Sequence, residues 1–396
     1  MVTPPIYLDN HATTRVDPRV VEAMLPYFTT TYGNPASVSH RFGWDAAAAV
    51  DRAREQVATL IGAESKEVVF TSGATEANNL AIKGALAHLK RKGNHLVTAA
   101  TEHRAVLDPM KRLAREGWDL TVVACDEHGM VSAEAVEAAL TDRTILVSVM
   151  AANNEVGTLN PIGAIGQLCH ARGVLFHTDA TQAVGKVPLD VRQDAIDLLS
   201  LSAHKFHGPK GIGTLYVRRR DPLVRLTPLL DGGGHERGLR SGTIAVPLVV
   251  GLGEAAGLAR RERPEESARL RGLRERLHAG LAARVEAIVL NGHPTLRLPG
   301  NLNLSFAYVD GEALMMAMRD VAVSSGSACT SANPEPSHVL TAMGRDEDMA
   351  RASLRFGLGR FTTAEEIDFA VDAVADAVAR LRTHSAAWTT RDRVEI

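Results

Sequence analysis

From about Gly62 to Val217, short β-branched and aliphatic runs alternate with longer stretches whose apolar positions recur at helical spacing. Val68–Phe70, His95–Thr98, Leu120–Val123, Ile145–Val149 and Val174–His177 read as strands, as do the apolar run Ala195–Leu201 and Gly213–Val217. Glu76–Leu89, Pro109–Glu116, Ala133–Leu140 and Ile162–Arg172 read as helices between them. Strictly alternating strand and helix predict a mostly parallel sheet with helices on its faces. Ligands of such sheets lie beyond the carboxyl ends of the strands. Near Arg260–Glu266 the pattern turns charged and helical, which suggests the crossing into a second domain. A long helix to Ala283 is expected there. It is followed by strands near Ala287–Leu290, Asn301–Ser305 and Arg351–Phe356, and by a last helix over Ala364–Leu381. That order suits a smaller α+β unit.

Length supports the division, because 396 residues exceed what one hydrophobic core usually serves. The composition, 45% hydrophobic and 23% charged, is that of an ordinary globular protein. A net charge of -2 gives no overall basic footprint, so direct nucleic-acid binding is not expected. Arg218–Arg220 reads as a solvated strand end. The first residues carry no charged segment followed by an apolar one, and no apolar run is long enough to span a bilayer. A cytoplasmic, non-membrane protein is therefore the expectation. Cys125, Cys169 and Cys329 make no disulfide framework.

The candidate chemistry gathers at strand ends. Lys205 sits in the turn Ser202-Ala-His-Lys-Phe-His-Gly-Pro209, between two predicted strands. A lysine amine there can form a Schiff base with an aldehyde cofactor. Asp179 ends the strand before it and supplies the acid that a pyridine nitrogen requires. Thr71-Ser-Gly-Ala-Thr75 joins a strand to a helix, and its small residues would let an anion approach the helix N-terminus. Cys329 lies among Ser, Ala and Pro, in a loop sequence, whereas Cys125 and Cys169 sit where small hydrophobes pack. Arg355 has the planar fork that grips a carboxylate. His204 and His207 flank Lys205, but no cysteine or carboxylate cluster completes a metal site.

These segments resemble fold-type I pyridoxal phosphate (PLP) enzymes, and more narrowly the NifS/IscS-type cysteine desulfurases of the class V aminotransferase family. The matching segments are Tyr7–Thr14, Gly33–Ser37, Phe70–Asn79, Thr101–His103, Asn153–Glu155, Arg240–Thr243, Ser324–Cys329 and Ser353–Phe356. The stretch after Leu381 matches no motif. The resemblance implies an α/β fold-type I transferase, with a mostly parallel sheet flanked by helices and a smaller α+β domain. Residues 16–260 would form the large PLP-binding domain. Residues 1–15 with 261–396 would form the small domain carrying the catalytic cysteine loop. It further implies that Lys205 carries PLP and that Ala74, Thr75, Ser202 and His204 hold its phosphate, joined by Thr243 of the other protomer of a homodimer. Asp179 would pair with the ring nitrogen, Gln182 with the ring hydroxyl, and Asn154 with that hydroxyl or the substrate. His103 would stack on the ring as candidate acid/base, and Arg355 would clamp the substrate carboxylate.

The implied reaction converts L-cysteine to L-alanine through a PLP ketimine. Its sulfur is captured as a persulfide on Cys329 and passed to an acceptor protein. Selenocysteine lyase shares the scaffold and is the alternative enzyme; a partner-binding scaffold in a sulfur-transfer complex is the alternative of another class. Iron–sulfur cluster assembly, tRNA thiolation and DNA phosphorothioation all remain open as destinations. The tail Trp388–Ile396 departs from the longer acceptor-docking tail of the IscS group.

Overall fold

The structure is a computed structural model that describes residues 2–325 and 336–390. Its strands are β1 (Ile6–Tyr7), β2 (Val68–Thr71), β3 (His95–Ala99), β4 (Asp119–Val123), β5 (Thr144–Ser148) and β6 (Leu175–Asp179). Next come β7 (Leu198–Ser202), β8 (Gly213–Val217), β9 (Ile288–Asn291), β10 (Asn301–Phe306), β11 (Val321–Ala322) and β12 (Ser353–Gly357). Seven of them form one sheet in the order β2-β8-β7-β6-β5-β3-β4. The neighbours from β7 across to β4 run parallel, and β8 runs antiparallel to both β7 and the edge strand β2. Strands β3, β5 and β7 are buried at every position, as expected where helices cover both faces.

The carboxyl ends of β2, β3, β5, β6 and β7 share one edge of this sheet. Thr71, Ala99, Ser148, Asp179 and Ser202 end there, and each is followed by a segment proposed above as functional. Gly213 allows that edge to close. A Cβ at this position would lie 2.5 Å from the Leu201 carbonyl oxygen and 2.7 Å from the Cα of Gly73, so only glycine lets β8 start against the Gly73 turn.

A second core gathers around the antiparallel sheet β9-β10-β12, together with Ile6 and Leu8, the helix Ala364–Arg382 and Val321 of the β1–β11 pair. The charged stretch near Arg260 does not separate the two cores as a linker. It lies inside one helix, Val246–Arg284, of 39 residues, with Pro264 within it. The first part of that helix buries Val249, Leu252, Ala255 and Ala259 in the large core, and the later part buries Leu270, Leu277 and Leu281 in the small one. The charged middle is what a helix shows where it crosses between cores. Arg360, just past β12, ties them from the other side through Asp17 (2.7 Å) and Glu266 (2.9 Å). Among the described residues, no helix is long and apolar enough to cross a membrane.

Candidate active site

Beyond the shared strand edge lies a cavity of about 490 Å³. Nine of the proposed site residues line it: Ala74, Thr75, His103, Asn154, Asp179, Gln182, Ser202, His204 and Lys205, with Arg355 as a tenth. Residues far apart in sequence meet there because β6 and β7 are adjacent parallel strands that end together.

Lys205 belongs to the single helical turn Ala203–Lys205 after β7. Its Nζ donates to the carbonyl oxygens of His11 (2.6 Å) and Ala12 (2.7 Å). The strap after β1 thus holds the lysine in place. Asp179 accepts from Asn78 Nδ2 through Oδ2 (2.7 Å) and from the Thr181 backbone through Oδ1 (3.0 Å). Two residues earlier on β6, His177 bonds Ser148 (2.8 Å) on one side and Ser200 (3.0 Å) on the other, a polar rung across three strands. Burial holds that imidazole down to about 4, so it stays neutral.

Gly73, in the left-handed region at φ 153°, caps the helix Ala74–Leu89. The first backbone N–H groups of that helix lie along the cavity, where they favour an anion. Glu76, the acidic residue of that turn, is drawn off by Arg240 (2.9 Å) and the Ser72 backbone (2.7 Å). His204 contacts Thr13 Oγ1 (3.0 Å), and burial with the adjacent Lys205 charge pushes it down to about 4.

His103 caps the helix Arg104–Arg115, its Nδ1 accepting from the Ala105 backbone (3.0 Å). A nitrogen that accepts from an amide carries no proton, so the neutral ring keeps its proton on Nε2. Its neighbour Glu102 is fully buried beside the Asp179 charge, which together raise its carboxyl well above the usual range. Glu102 accepts from the Met150 backbone. Arg355 on β12 is buried, not a surface ion-pair arginine. Its Nη2 donates to Asp9 (2.9 Å) and Nη1 to the Asn154 carbonyl (3.0 Å). Among the described residues its Nε has no partner.

Two proposed residues are not in this cavity. Thr243 is exposed and does not line the cavity of its own protomer. Cys329 lies outside the described residues. The chain on either side of residues 326–335 is rooted beside the site: Ser324 and Arg355 exchange backbone hydrogen bonds, Ser337 donates to Glu155, and His338 bonds the Glu102 carbonyl (3.0 Å). Burial pushes Glu155 up to about 7. Cys125 is half-buried against the Ala342 carbonyl (3.4 Å), and burial pushes the Cys169 thiol up to about 12.

Sequence reasoning passed over Asp9, His11, Asn78 and Lys186. Asp9, His11 and Asn78 lie within the segments Tyr7–Thr14 and Phe70–Asn79, so only their roles were hidden; Lys186 had no such signal.

The donor set fits pyridoxal phosphate. A lysine amine, a buried carboxylate and a helix N-terminus with hydroxyl and imidazole partners open on one cavity. Among the described residues, the buried His11 Nε2 and Thr181 Oγ1, on residues that line it, lack any partner.

The aminotransferase class V family model matches residues 6–369. A cysteine desulfurase IscS of Anaeromyxobacter dehalogenans is 59% identical over 381 residues, 96% of this chain and 94% of that one. Among solved structures, a NifS-like protein matches with a TM-score of 0.88 at 37% identity, covering 95% of this chain and all of the other. SspA in complex with cysteine matches with a TM-score of 0.79 at 38% identity, covering 91% of this chain and all of the other. The chain belongs to the class V aminotransferase family, and within it to the NifS/IscS-type cysteine desulfurases.

Proposed function

We propose that this protein takes the sulfur of L-cysteine as a persulfide on Cys329, releases L-alanine, and passes the sulfur to an acceptor protein. The observation that carries this reading is the single cavity onto which Lys205, Asp179, His103 and the Gly73 helix N-terminus all open. Lys205 would hold pyridoxal phosphate through its amine, and Ala74, Thr75, Ser202 and His204 would hold the phosphate end. Asp179 would face the ring nitrogen, Gln182 the ring hydroxyl, and His103 the ring face. When bound there, the cofactor supplies an electron sink for the carbanion formed at the substrate Cα.

Arg355 binds the substrate carboxylate, with Asn154 beside it, and so orients the Cα hydrogen toward Lys205. Lys205 takes that proton. Asp179, held by Asn78 and the Thr181 amide, would pair with the ring nitrogen. His103, with its proton on Nε2, would donate a hydrogen bond at the sulfur-bearing side. The Cys329 thiolate then attacks the substrate sulfur. The sulfur–sulfur bond forms as the carbon–sulfur bond breaks, and the carbon takes a proton; no external oxidant is needed. The anchors at Ser324 and Ser337 support this role, since one root of the Cys329 segment bonds Arg355 of the cavity and the other bonds Glu155, next in the chain to the cavity residue Asn154.

The active unit would be a homodimer. Leu25, Phe28, Tyr32, Val38, Phe42 and Trp44, all at least half exposed, crowd one short stretch of chain, and an apolar patch of this kind marks an interface. An exposed Thr243 outside its own cavity suits a residue that serves the partner's phosphate. Borohydride reduction of the purified holo-protein followed by peptide mapping tests the reading at its root. The cofactor should be fixed to the peptide of Lys205, and attachment to another lysine would refute it.

A further inference from the structure

Gln182 is held by partners that leave it one orientation. Its Oε1 receives Lys186 Nζ at 2.8 Å, and its Nε2 donates to the His11 carbonyl at 2.9 Å. A carbonyl only accepts, so the His11 contact places the amide nitrogen at His11 and leaves the amide oxygen facing the Lys186 amine, which burial and the neighbouring Lys205 charge push down to about 7. His11 Nδ1 lies 3.0 Å from the same Oε1 and must therefore carry the ring proton. That leaves His11 Nε2 as a bare acceptor, and it is buried with no partner among the described residues. Lys205 Nζ donates to the same His11 carbonyl, so one network of hydrogen bonds joins the two lysines through Gln182 and His11.

We propose that Lys186 is a positioning residue. By occupying the amide oxygen of Gln182 it commits the free N–H of Gln182 to the cavity, where it donates to the hydroxyl oxygen of the cofactor ring. Without Lys186 the His11 carbonyl still fixes which way the amide faces, but the amide oxygen keeps only the His11 ring N–H, so the donating N–H is held less firmly toward that ring oxygen. Lys186 needs no cavity contact to act. It does not line the 490 Å³ cavity but the enclosed space behind it, with His207, Glu266 and Arg360. The inference rests on the placement of Gln182 at the ring hydroxyl, and the test separates the two.

The measurement is the dissociation constant of pyridoxal phosphate, obtained by titrating apo-protein, with thermal unfolding of each apo-protein as the control for folding. Lys186→Met should weaken binding roughly three- to tenfold, the equivalent of one hydrogen bond. Lys186→Arg, still a pure donor, should restore it, and Lys186→Glu, a pure acceptor, should weaken it beyond Lys186→Met. Gln182→Leu should weaken binding at least as much, and the Lys186→Met/Gln182→Leu double variant should bind no worse than Gln182→Leu alone. Full additivity in the double variant would mean that Lys186 acts by its charge and not through Gln182, and would overturn the inference. So would parent affinity in Lys186→Met when Gln182→Leu has lost it. Parent affinity in Gln182→Leu would instead refute the placement of Gln182, and the inference would fall with it.

Discussion

Glu236→Gln should be among the most destabilising single-atom exchanges in this chain. The Glu236 carboxylate grips Arg54 with both oxygens, at 2.7 and 2.8 Å, and Oε2 also accepts from the backbone of Phe70 on the edge strand β2 (2.8 Å). Both side chains are buried, at 9% and 1% exposure. Arg54 also donates to the Val68 carbonyl (2.8 Å), and its guanidinium lies 4.5 Å from the Phe70 ring centre. Glutamine keeps the volume and one oxygen but removes the charge, leaving a guanidinium buried without a counterion. Breaking one side of such a pair costs about 3–5 kcal/mol. Replacing both partners, in Arg54→Met/Glu236→Leu, removes the unpaired charge and leaves chiefly the Phe70 N–H unsatisfied, at about 1–3 kcal/mol. The double variant should therefore be more stable than Glu236→Gln. Urea unfolding followed by tryptophan fluorescence reads this, since Trp44 and Trp118 both lie on the large-core side. The turn at stake carries Glu236 and Arg237 in the left-handed region, at φ 49° and 59°, just before Arg240–Thr243. A cost below about 1 kcal/mol for Glu236→Gln, or a double variant as costly as the two singles together, would refute the reasoning.

Burial pushes His207 down to about 4, so the folded protein keeps it neutral while the unfolded chain binds a proton near pH 6.5. The unfolded state then binds more protons between those values, and stability falls as pH falls from about 6.5 to 4. His207→Gln should flatten that slope in acid-unfolding curves; an unchanged slope would contradict the assignment. Arg355→Lys cannot reach Asp9 and Asn154 and the substrate carboxylate together, so steady-state kinetics should show kcat/KM for L-cysteine falling by roughly 10–100-fold, mostly through KM. A change confined to kcat would count against carboxylate binding.

Much of the large core was legible because its strands are runs of β-branched and aliphatic residues. The expected Val68–Phe70, His95–Thr98 and Gly213–Val217 differ from β2, β3 and β8 by at most a residue at one end. The helix starting at Arg104 was expected only from Pro109, because a proline usually opens a helix; here it sits inside one, and His103 caps it. The helix Arg41–Ile61 went unread because its alanines give a weak apolar stripe, and the charged stretch near Arg260 was expected to precede the long helix, whereas it lies within it. Strand ends made Lys205 and Asp179 legible, since chemistry and position pointed the same way. Asn78 and Lys186 were not legible, because each bonds a cavity residue rather than lining the cavity itself, and such a contact is visible only in the folded chain.

The most direct measurement of the central claim is mass spectrometry of the purified holo-enzyme after exposure to L-cysteine. One sulfur should be added to the peptide bearing Cys329, with L-alanine released, and neither should occur in Lys205→Ala. Cys329→Ser should retain the cofactor but gain no sulfur and release almost no alanine. Sulfur found instead on Cys125 or Cys169, or full alanine release by Cys329→Ser, would contradict the account.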